Sequence, residues 1–179
     1  MSHLSDPLVP GDPVFHPKYG FGTVHSLTRR DRIHPIQEPT TADAASDRTE
    51  DYYDILLEEG GTLLVPVSRA ASVGLRRLTS GLEAVKAGLC SPAQSLPTSS
   101  RERAAVLRLR EQLAEPAALV HSVRDVLAQS RSRTLSAGEK AWLGTACQRL
   151  STEAALVDHI PRFQAQAAIL EVVRELSVR

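Results

Sequence analysis

Cysteine is scarce in this 179-residue chain, which contains only Cys90 and Cys147. They lie far apart without a CxxC partner, so the sequence excludes a disulfide framework and a cysteine-based zinc site. Long apolar runs are also missing, since no stretch approaches the ~20 residues that a membrane helix needs. The first residues, MSHLSDPLVPGDP, lack a basic stretch followed by an apolar core and do not read as a secretory signal, which predicts a cytoplasmic protein.

Net charge is absent as well, because 21 Lys and Arg balance 21 Asp and Glu. Residues 1–79 hold 8 basic and 11 acidic side chains, a balance of −3, whereas residues 80–179 hold 13 and 10, a balance of +3. The split hints at two surfaces with different partners. It does not by itself establish nucleic-acid binding, since a nucleic-acid-binding domain is usually distinctly basic.

The first half of the chain alternates in hydrophobicity and is rich in turn residues. Short β-branched or aromatic runs are separated by glycines and prolines, which is typical of a small antiparallel sheet. Glu58-Glu59-Gly60-Gly61 is a strong hairpin signal. We predict about four strands that close into a small, strongly twisted barrel. The runs are residues 13–17, 22–27, 52–57 and 62–66.

A segment from about Arg29 to Glu50 separates the second run from the third. It has two prolines, many small polar residues and almost no apolar periodicity. We therefore predict a mobile loop that interrupts the hairpin. Closing a longer loop costs only ~0.6 kcal/mol per doubling of its length, so the hairpin can tolerate the insertion.

The second half follows helical periodicity from about residue 79 onward. A short helix ends near Gly88, and a proline-bearing linker over residues 91–98 follows it. Polar caps and first-turn prolines mark where helices begin. The predicted starts are Thr79, Ser99 with Glu102, Pro116, Ser136 with Glu139, and Pro161.

Apolar side chains recur at helical spacing in this half, as they do in helix bundles. We predict an α+β protein, with the barrel over residues 1–78 and an all-helical bundle of about four to five helices over residues 79–179. The predicted stripes are Val106, Leu109 and Leu113; Leu119, Val120, Val123 and Leu127; Leu143, Ala146, Cys147, Leu150, Ala154 and Val157; and Ile169, Leu170 and Val173.

Polar groups at the spacing that an enzyme needs are not found. The six histidines form neither HExxH nor a pair on one helix face, so no metal site is predicted. Gly20-Phe21-Gly22 lacks the helix and the lysine of a phosphate loop. Ser136 and Lys140 suggest a serine–lysine pair, but the capping box explains that serine without catalysis. We predict a protein that is not an enzyme and has no cofactor; a site assembled from scattered residues remains the alternative.

The helix predicted to begin at Ser99 carries four arginines beside its apolar stripe. At ~100° per residue, Arg101 and Arg108 fall on one flank and Arg103 and Arg110 on the other. Such a helix can contact phosphates on both sides of a groove. Arginines whose stems cover the edge of a bundle helix are the alternative explanation.

Trp142 is the only tryptophan of the chain. It lies near the edge of the apolar stripe of its helix, beside Arg149. Packing in the core is the favoured interpretation, and an anchor that contacts a partner is the alternative.

Three blocks of sequence resemble the CarD family of bacterial transcription regulators. GDPVFHPKYGFGTVHSL is similar to the family's opening GD-V--P-YG-G-V, and VPVSRAASVGLRRL is similar to the V-P-----VG-R at the end of its sheet. LSAGEKAWLGTACQRL, from Leu135 to Leu150, resembles the LS-GEK---L--A---L of its helical domain. The blocks follow the family order and together cover most of the chain from Gly11 onward.

The resemblance implies a Tudor-like or SH3-like barrel that docks on the β-subunit lobe of bacterial RNA polymerase. A strand edge suits such docking, because its unpaired backbone groups can pair with a partner. Arg30 falls where the family commonly supplies a basic contact to the polymerase. Leu64 falls where a second basic contact is often found, so half of the expected electrostatic match is absent. Leu64 and its neighbours Val65 and Pro66 join Arg30 as candidate polymerase-binding residues.

The resemblance also implies a helical domain held over promoter DNA at the upstream edge of the melted bubble, where it stabilises the open complex. Many family members insert a tryptophan into the minor groove there, and an apolar wedge can hold a base step open. Ser100 stands at that position, and Trp142 on another helix is no simple substitute. The arginines near Ser100 can still contact phosphates. The candidate DNA-binding residues are Ser100, Arg101, Arg103, Arg108 and Trp142.

The sequence thus predicts a CarD-like regulator that binds RNA polymerase and promoter DNA as a monomer. We expect its action on DNA to be weaker than, or different from, that of relatives with the tryptophan. The alternative is an adaptor that acts only on proteins, with the barrel on polymerase and the bundle on another protein. We expect the protein to bind no cofactor and no membrane.

Overall fold

The computed structural model describes residues 7–31, 49–112 and 116–178. These residues belong to two compact units, Met1–Arg77 and Leu78–Arg179. The first unit is built on an antiparallel sheet and the second on helices. The predicted α+β class is therefore confirmed. None of the described helices has both the length and the apolar character needed to cross a membrane.

The sheet of the first unit has five strands in the order β4-β3-β2-β1-β5, and all neighbours are antiparallel. The described sheet has five strands where about four were predicted. Its closure into a barrel is not shown, because β4 and β5 are the two edges and do not pair with each other in the described sheet. β5 has only two residues, both paired with β1. The strands are β1 Pro13–His16, β2 Gly20–Asp31, β3 Thr49–Leu57, β4 Thr62–Pro66 and β5 Arg76–Arg77.

The hairpin between β2 and β3 extends into the segment predicted as a mobile loop from Arg29 to Glu50. Arg29 pairs with Asp51, and Arg30 pairs with Glu50. Opposite charges on paired residues stabilise this end of the hairpin. Because its residues are polar on both faces of the sheet, the sequence lacks the apolar alternation that would indicate a strand. The loop prediction was thus wrong at both of its ends, and residues 32–48 lie outside the described residues.

The core of the sheet unit lies on the face that holds Val14, Val24 and Ile55, each 1% exposed. Gly74, near the end of this unit, adopts a left-handed backbone conformation, with φ of 77°. A β-carbon on Gly74 would lie 2.8 Å from Cγ of Pro17, so the glycine allows two distant motifs of the chain to touch. The complete buried cluster is Leu8, Val14, Val24, Tyr53, Ile55, Val65, Ala70 and Leu75.

The described residues of the second unit form five helices, within the predicted four to five, and the start of the first one differs from the prediction. Thr79 does not cap the first one, which begins at Leu82 after Gly81. Asp158 caps this helix instead, because the backbone nitrogen of Leu82 donates to its Oδ2 at 2.7 Å. The helices are α1 Leu82–Cys90, α2 Ser100–Gln112, α3 Pro116–Ser130, α4 Ala137–Asp158 and α5 Arg162–Val178.

The bundle core confirms the predicted stripes of α3 and α4. Leu119, Val120, Val123 and Leu127 are buried, as are Ala146, Cys147, Leu150 and Ala154; Leu143 packs against them and Val157 is half-buried. On α5 the prediction holds for Ile169 and Val173. It was wrong for Leu170, which is 42% exposed because Ala165 and Ile169 form the inner face of that helix.

Helix α2 departs most from its predicted stripe. Leu109 is 59% exposed, and Leu113 lies outside the described residues. The inner face instead contains Arg103, Leu107 and half-buried Val106 and Arg110, which recur at helical spacing. Only a small cluster of Leu96, Leu107 and Val126 is buried there, with Val106, Leu135 and Trp142 packed against it.

Candidate functional site

One surface of the sheet unit gathers most of the predicted polymerase-binding residues. Residues that pair across strands share a face of the sheet, so Leu64, Asp54 and Ser26 form one row across β4, β3 and β2. Pro66 and Arg30 lie in the following rows of the same face. We call this surface, made of Ser26, Thr28, Arg30, Asp54, Leu64 and Pro66, the Arg30 face.

Val65 is the exception among these residues. It pairs with Tyr53 on the opposite face and is only 3% exposed. Its side chain packs in the core, and only its backbone on β4 can take part in docking.

Arg30 is half-exposed on this face, with 46% of its side chain accessible. Its Nε donates to Oγ1 of Thr28 at 3.2 Å, and its guanidinium lies 3.8 Å from Oδ2 of Asp54. The Asp54 side chain is 16% exposed, and its buried Oδ1 has no hydrogen-bond partner among the described residues. The guanidinium of Arg30 therefore lies beside an acid that partly neutralises it.

Strand β4 forms an edge of the described sheet next to this face. One side of its backbone pairs with β3, and no described strand pairs with the other side. An edge of this kind offers hydrogen-bonding groups that an extended partner strand can take up.

The exposed surface of α2 carries Ser100, Arg101 and Arg108. Arg101 and Arg108 are seven residues apart, which places them on the same face about two helical turns from each other. The Nε of Arg108 donates to the carbonyl of Ala104 within the helix. The structure thus places the predicted flank of Arg101 and Arg108 at the surface.

Arg103 lies on the opposite side of α2 and is buried, with 5% exposure. Its Nε donates to Oε1 of Glu139 at 2.9 Å. Its Nη1 donates to the carbonyl of Pro97 at 2.9 Å and to the carbonyl of Thr98. The guanidinium therefore joins the linker, the first turn of α2 and the start of α4, and this position turns it away from the surface that Arg101 and Arg108 form.

Glu139 is the acidic residue that the donors of this junction share. Besides Arg103, its carboxylate accepts hydrogen bonds from Arg133 and, at 2.9 Å, from the backbone nitrogen of Ser136, while the hydroxyl of Ser136 accepts from the Glu139 amide. This reciprocal pair is the predicted capping box, which is confirmed. The hydrogen bond from Arg133, followed by those from Ser136 and Arg103, holds the pKa of Glu139 well below its usual range despite burial.

A second junction holds the other end of α2. Asp125 on α3 has a side chain with no exposed surface, and Arg110 of α2 and Arg124 of α3 bind its carboxylate at 2.7 and 2.8 Å. Asp125 also accepts from the backbone nitrogen of Gln94, and Arg124 donates to the hydroxyl of Ser91. Side chains of α2 and α3 thus fix the linker along most of its length.

These two junctions are what sequence reasoning missed. The arginines of α2 were interpreted as a frame around an apolar stripe, and neither Glu139 nor Asp125 was connected to them. The seven-residue spacing places Arg103 and Arg110 on one face, as predicted, but it does not show that this face is turned inward toward acids distant in sequence.

Trp142 is half-buried on α4. It packs against both the main core of the bundle and the small cluster under α2. The structure places it between two apolar clusters, which agrees with the favoured interpretation of core packing.

Metal-ligating and nucleophilic side chains among the described residues bear on the question of catalysis. They contain no group of three or more side chains able to hold a metal ion. A groove of about 330 Å³ between α4 and α5 is lined mainly by apolar and amide side chains, together with Lys140. Cys147 lines it too, but burial raises the pKa of its thiol to about 11, so the reactive thiolate is scarce at neutral pH.

Comparison with protein-family models gives two matches. Residues 8–79 match the model of the CarD-like/TRCF RID domain. Residues 96–171 match the model of the CarD C-terminal domain. A search of the curated proteins found no match.

Proposed function

Since the chain belongs to the CarD-like family, whose domains imply a transcription regulator that interacts with RNA polymerase, we propose that its sheet unit binds the β-subunit lobe and its helical unit modulates the promoter open complex. Under this proposal the chain belongs with transcription factors and adaptors rather than with enzymes. We further propose that the protein is bacterial, is located in the cytoplasm and acts as a monomer.

The proposed docking surface is the Arg30 face together with the free edge of β4. Arg30 supplies the basic contact, Leu64 and Pro66 supply apolar area, and the backbone of β4 supplies hydrogen bonds to an extended partner strand. Arg30 lies close to Asp54, so a partner acid must compete with that carboxylate. With Leu64 in place of a second basic residue, we expect apolar contact to contribute more here and charge less.

Substitution of Arg30 tests this surface. Arg30→Ala should weaken binding of the full chain to an isolated β lobe and reduce the dependence of binding on salt. Arg29→Ala is the matched control, because Arg29 is adjacent, exposed and on the opposite face of β2. Equal losses for both variants would contradict docking through the Arg30 face.

The proposed DNA contact is carried by one observation: Arg101 and Arg108 are both exposed on one face of a helix whose two ends are fixed to the bundle. A rigid pair of arginines can contact backbone phosphates without reading sequence. Ser100 cannot act as an apolar wedge, so the expected contribution is electrostatic. We therefore expect a smaller effect on open-complex lifetime than a wedge would give.

The combined variant Arg101→Ala/Arg108→Ala tests the DNA contact in a complex of the full chain, RNA polymerase and promoter DNA. The affinity of the variant for the polymerase–promoter complex should fall. The slope of log affinity against log salt should become shallower by about 2, at about 0.9 per phosphate contact. Arg162→Ala/Arg174→Ala is the control, since both arginines are exposed on α5. An unchanged slope would remove the phosphate contacts from the proposal.

A second candidate function is an adaptor that acts only on proteins. Serine at residue 100, exposed at the start of α2, favours it, because the wedge position has lost its apolar side chain. In that case the sheet unit binds polymerase as proposed and the helical unit binds another protein. A promoter footprint that is the same with and without the protein, despite binding to polymerase, would favour the adaptor.

A further inference from the structure

We infer that Arg103 and Glu139 are a positioning pair, which fixes the first turn of α2 so that Arg101 is presented to the phosphate backbone. This inference rests on the proposed DNA contact and adds to it the residues that hold the contact in place. Neither side chain is itself exposed to DNA, because the side chain of Arg103 is 6% accessible and that of Glu139 is 12% accessible.

The first step concerns what holds the start of α2. The segment before it, residues 91–98, has no helix or strand. Arg103 binds the carbonyls of Pro97 and Thr98 from inside the helix, and its third bond goes to Glu139. The planar guanidinium suits this role because it can direct several donors to fixed acceptors at once. Arg103 therefore holds the last two residues of the linker, where the chain enters α2.

The second step concerns what fixes Arg103. Glu139 is the third residue of α4, and its carboxylate is held by the Ser136 backbone and by Arg133 on the loop that precedes the helix. A long helix of 22 residues that packs on α5 thus provides a rigid support. Arg103 transmits this fixed position to the turn that carries Ser100 and Arg101.

The third step compares the two ends of α2. Apolar burial under the helix is limited to the cluster of Leu96, Leu107 and Val126. The far end is held independently by Arg110 and Asp125. Loss of the Arg103–Glu139 pair should therefore free the first turn and Arg101, while Arg108, two residues from Arg110, keeps its position.

Hydrogen exchange of the full chain without DNA tests the positioning directly. Arg103→Gln removes the bonds to Glu139 and to the linker carbonyls and leaves the capping box of α4 intact. We expect exchange of the Arg103 amide, which donates to the carbonyl of Ser99, and of the amides at residues 104–106 in the next turn of α2 to become at least about tenfold faster, the lower end of the range for a lost hydrogen bond to a charged group. Arg162→Gln on the surface of α5 is the control. Unchanged exchange at residues 103–106 would overturn the inference.

The DNA readout distinguishes positioning from a merely structural role. In the native background, Arg101→Ala should reduce the salt slope of the promoter complex by about 0.9. In the Arg103→Gln background it should have little further effect, whereas Arg108→Ala should reduce the slope equally in both backgrounds. Glu139→Gln provides a second background, and Arg103→Lys should restore only part of the effect because a lysine lacks the guanidinium fork.

The possible outcomes separate the inference from the function on which it rests. If Arg101→Ala has its full effect in both backgrounds, the positioning inference is wrong and the DNA contact stands. If Arg101→Ala and Arg108→Ala have no effect even in the native background, the proposed DNA contact is wrong, and positioning for DNA is overturned with it. Accelerated exchange in Arg103→Gln would then show only a structural junction.

Discussion

Helix α2 and the bundle of α1, α3, α4 and α5 are parts of one unit held together by different forces. The bundle buries a continuous apolar core in which Val85, Val123, Leu150 and Ile169 have no exposed surface. Below α2, three apolar residues are buried among those that the structure describes, and two arginines on its inner face bind acids of α3 and α4.

This difference shows which part of the helical unit depends on charged contacts for its stability. Apolar burial tolerates changes of pH and salt, whereas a buried ion pair becomes costly as soon as one partner is lost. The helix proposed to meet DNA is therefore the helix whose attachment relies most on charge. Trp142 packs against both clusters, so its fluorescence can report on both parts in the full chain.

The largest expected effect comes from Asp125→Ala. Removing the carboxylate leaves Arg124 and Arg110 without their shared partner and the amide of Gln94 without its acceptor. Loss of one partner of a buried ion pair typically costs about 3–5 kcal/mol. Urea unfolding followed by Trp142 fluorescence measures the change. Glu83→Ala, at a side chain 86% exposed, is the control and should stay within about 0.5 kcal/mol.

A similar or slightly smaller loss is expected from Leu150→Ala in the bundle. Leu150 has no exposed surface, and a leucine truncated in a core costs about 2–5 kcal/mol. The same urea unfolding measures it. The contrast lies in salt, since the Leu150→Ala loss should be the same at low and high salt. A Leu150→Ala loss that changed with salt more than the Asp125→Ala loss would contradict the distinction between the two parts.

Acid should weaken the junction at Glu139 before it affects the apolar core. The folded pKa of Glu139 lies below its ordinary value of 4.5, so the protonated form is disfavoured in the folded state. The stabilisation is complete above that ordinary value and is lost as pH falls through the folded pKa. The difference in unfolding free energy between the native chain and Glu139→Gln should be constant near neutral pH and shrink below about pH 4.5. A difference independent of pH would contradict this assignment.

The smallest effect is expected from Leu109→Ala. Leu109 is 59% exposed on α2, so its truncation should change the unfolding free energy by less than about 0.5 kcal/mol. Had Leu109 been part of the apolar stripe predicted from the sequence, the loss would be about 2–5 kcal/mol. The two values are far enough apart for urea unfolding to decide between them.

Sequence periodicity revealed the parts of the fold that are held by apolar burial. It found the stripes of α3 and α4, and the serine-to-glutamate spacing found the capping box at Ser136. It failed at α2, because the inner face there contains arginines whose partners are distant in sequence. It failed also at Arg29 and Arg30, where paired charges on an exposed hairpin leave no apolar alternation.

The candidate site was predictable to a similar degree. The spacing of Arg101 and Arg108 placed them on one flank, and the structure agrees. Whether a flank faces solvent or the interior depends on tertiary partners, so the burial of Arg103 was beyond the reach of periodicity. Alternation along β4 would have predicted that Val65 points away from Leu64, a signal available in the sequence.

Titration of RNA polymerase core enzyme with the full chain, with an isolated β lobe as competitor, tests the account most directly. We expect saturable binding that the β lobe abolishes and that Arg30→Ala weakens. Absence of binding, or binding that the β lobe leaves unchanged, would contradict the assignment of the sheet unit as the anchor to polymerase.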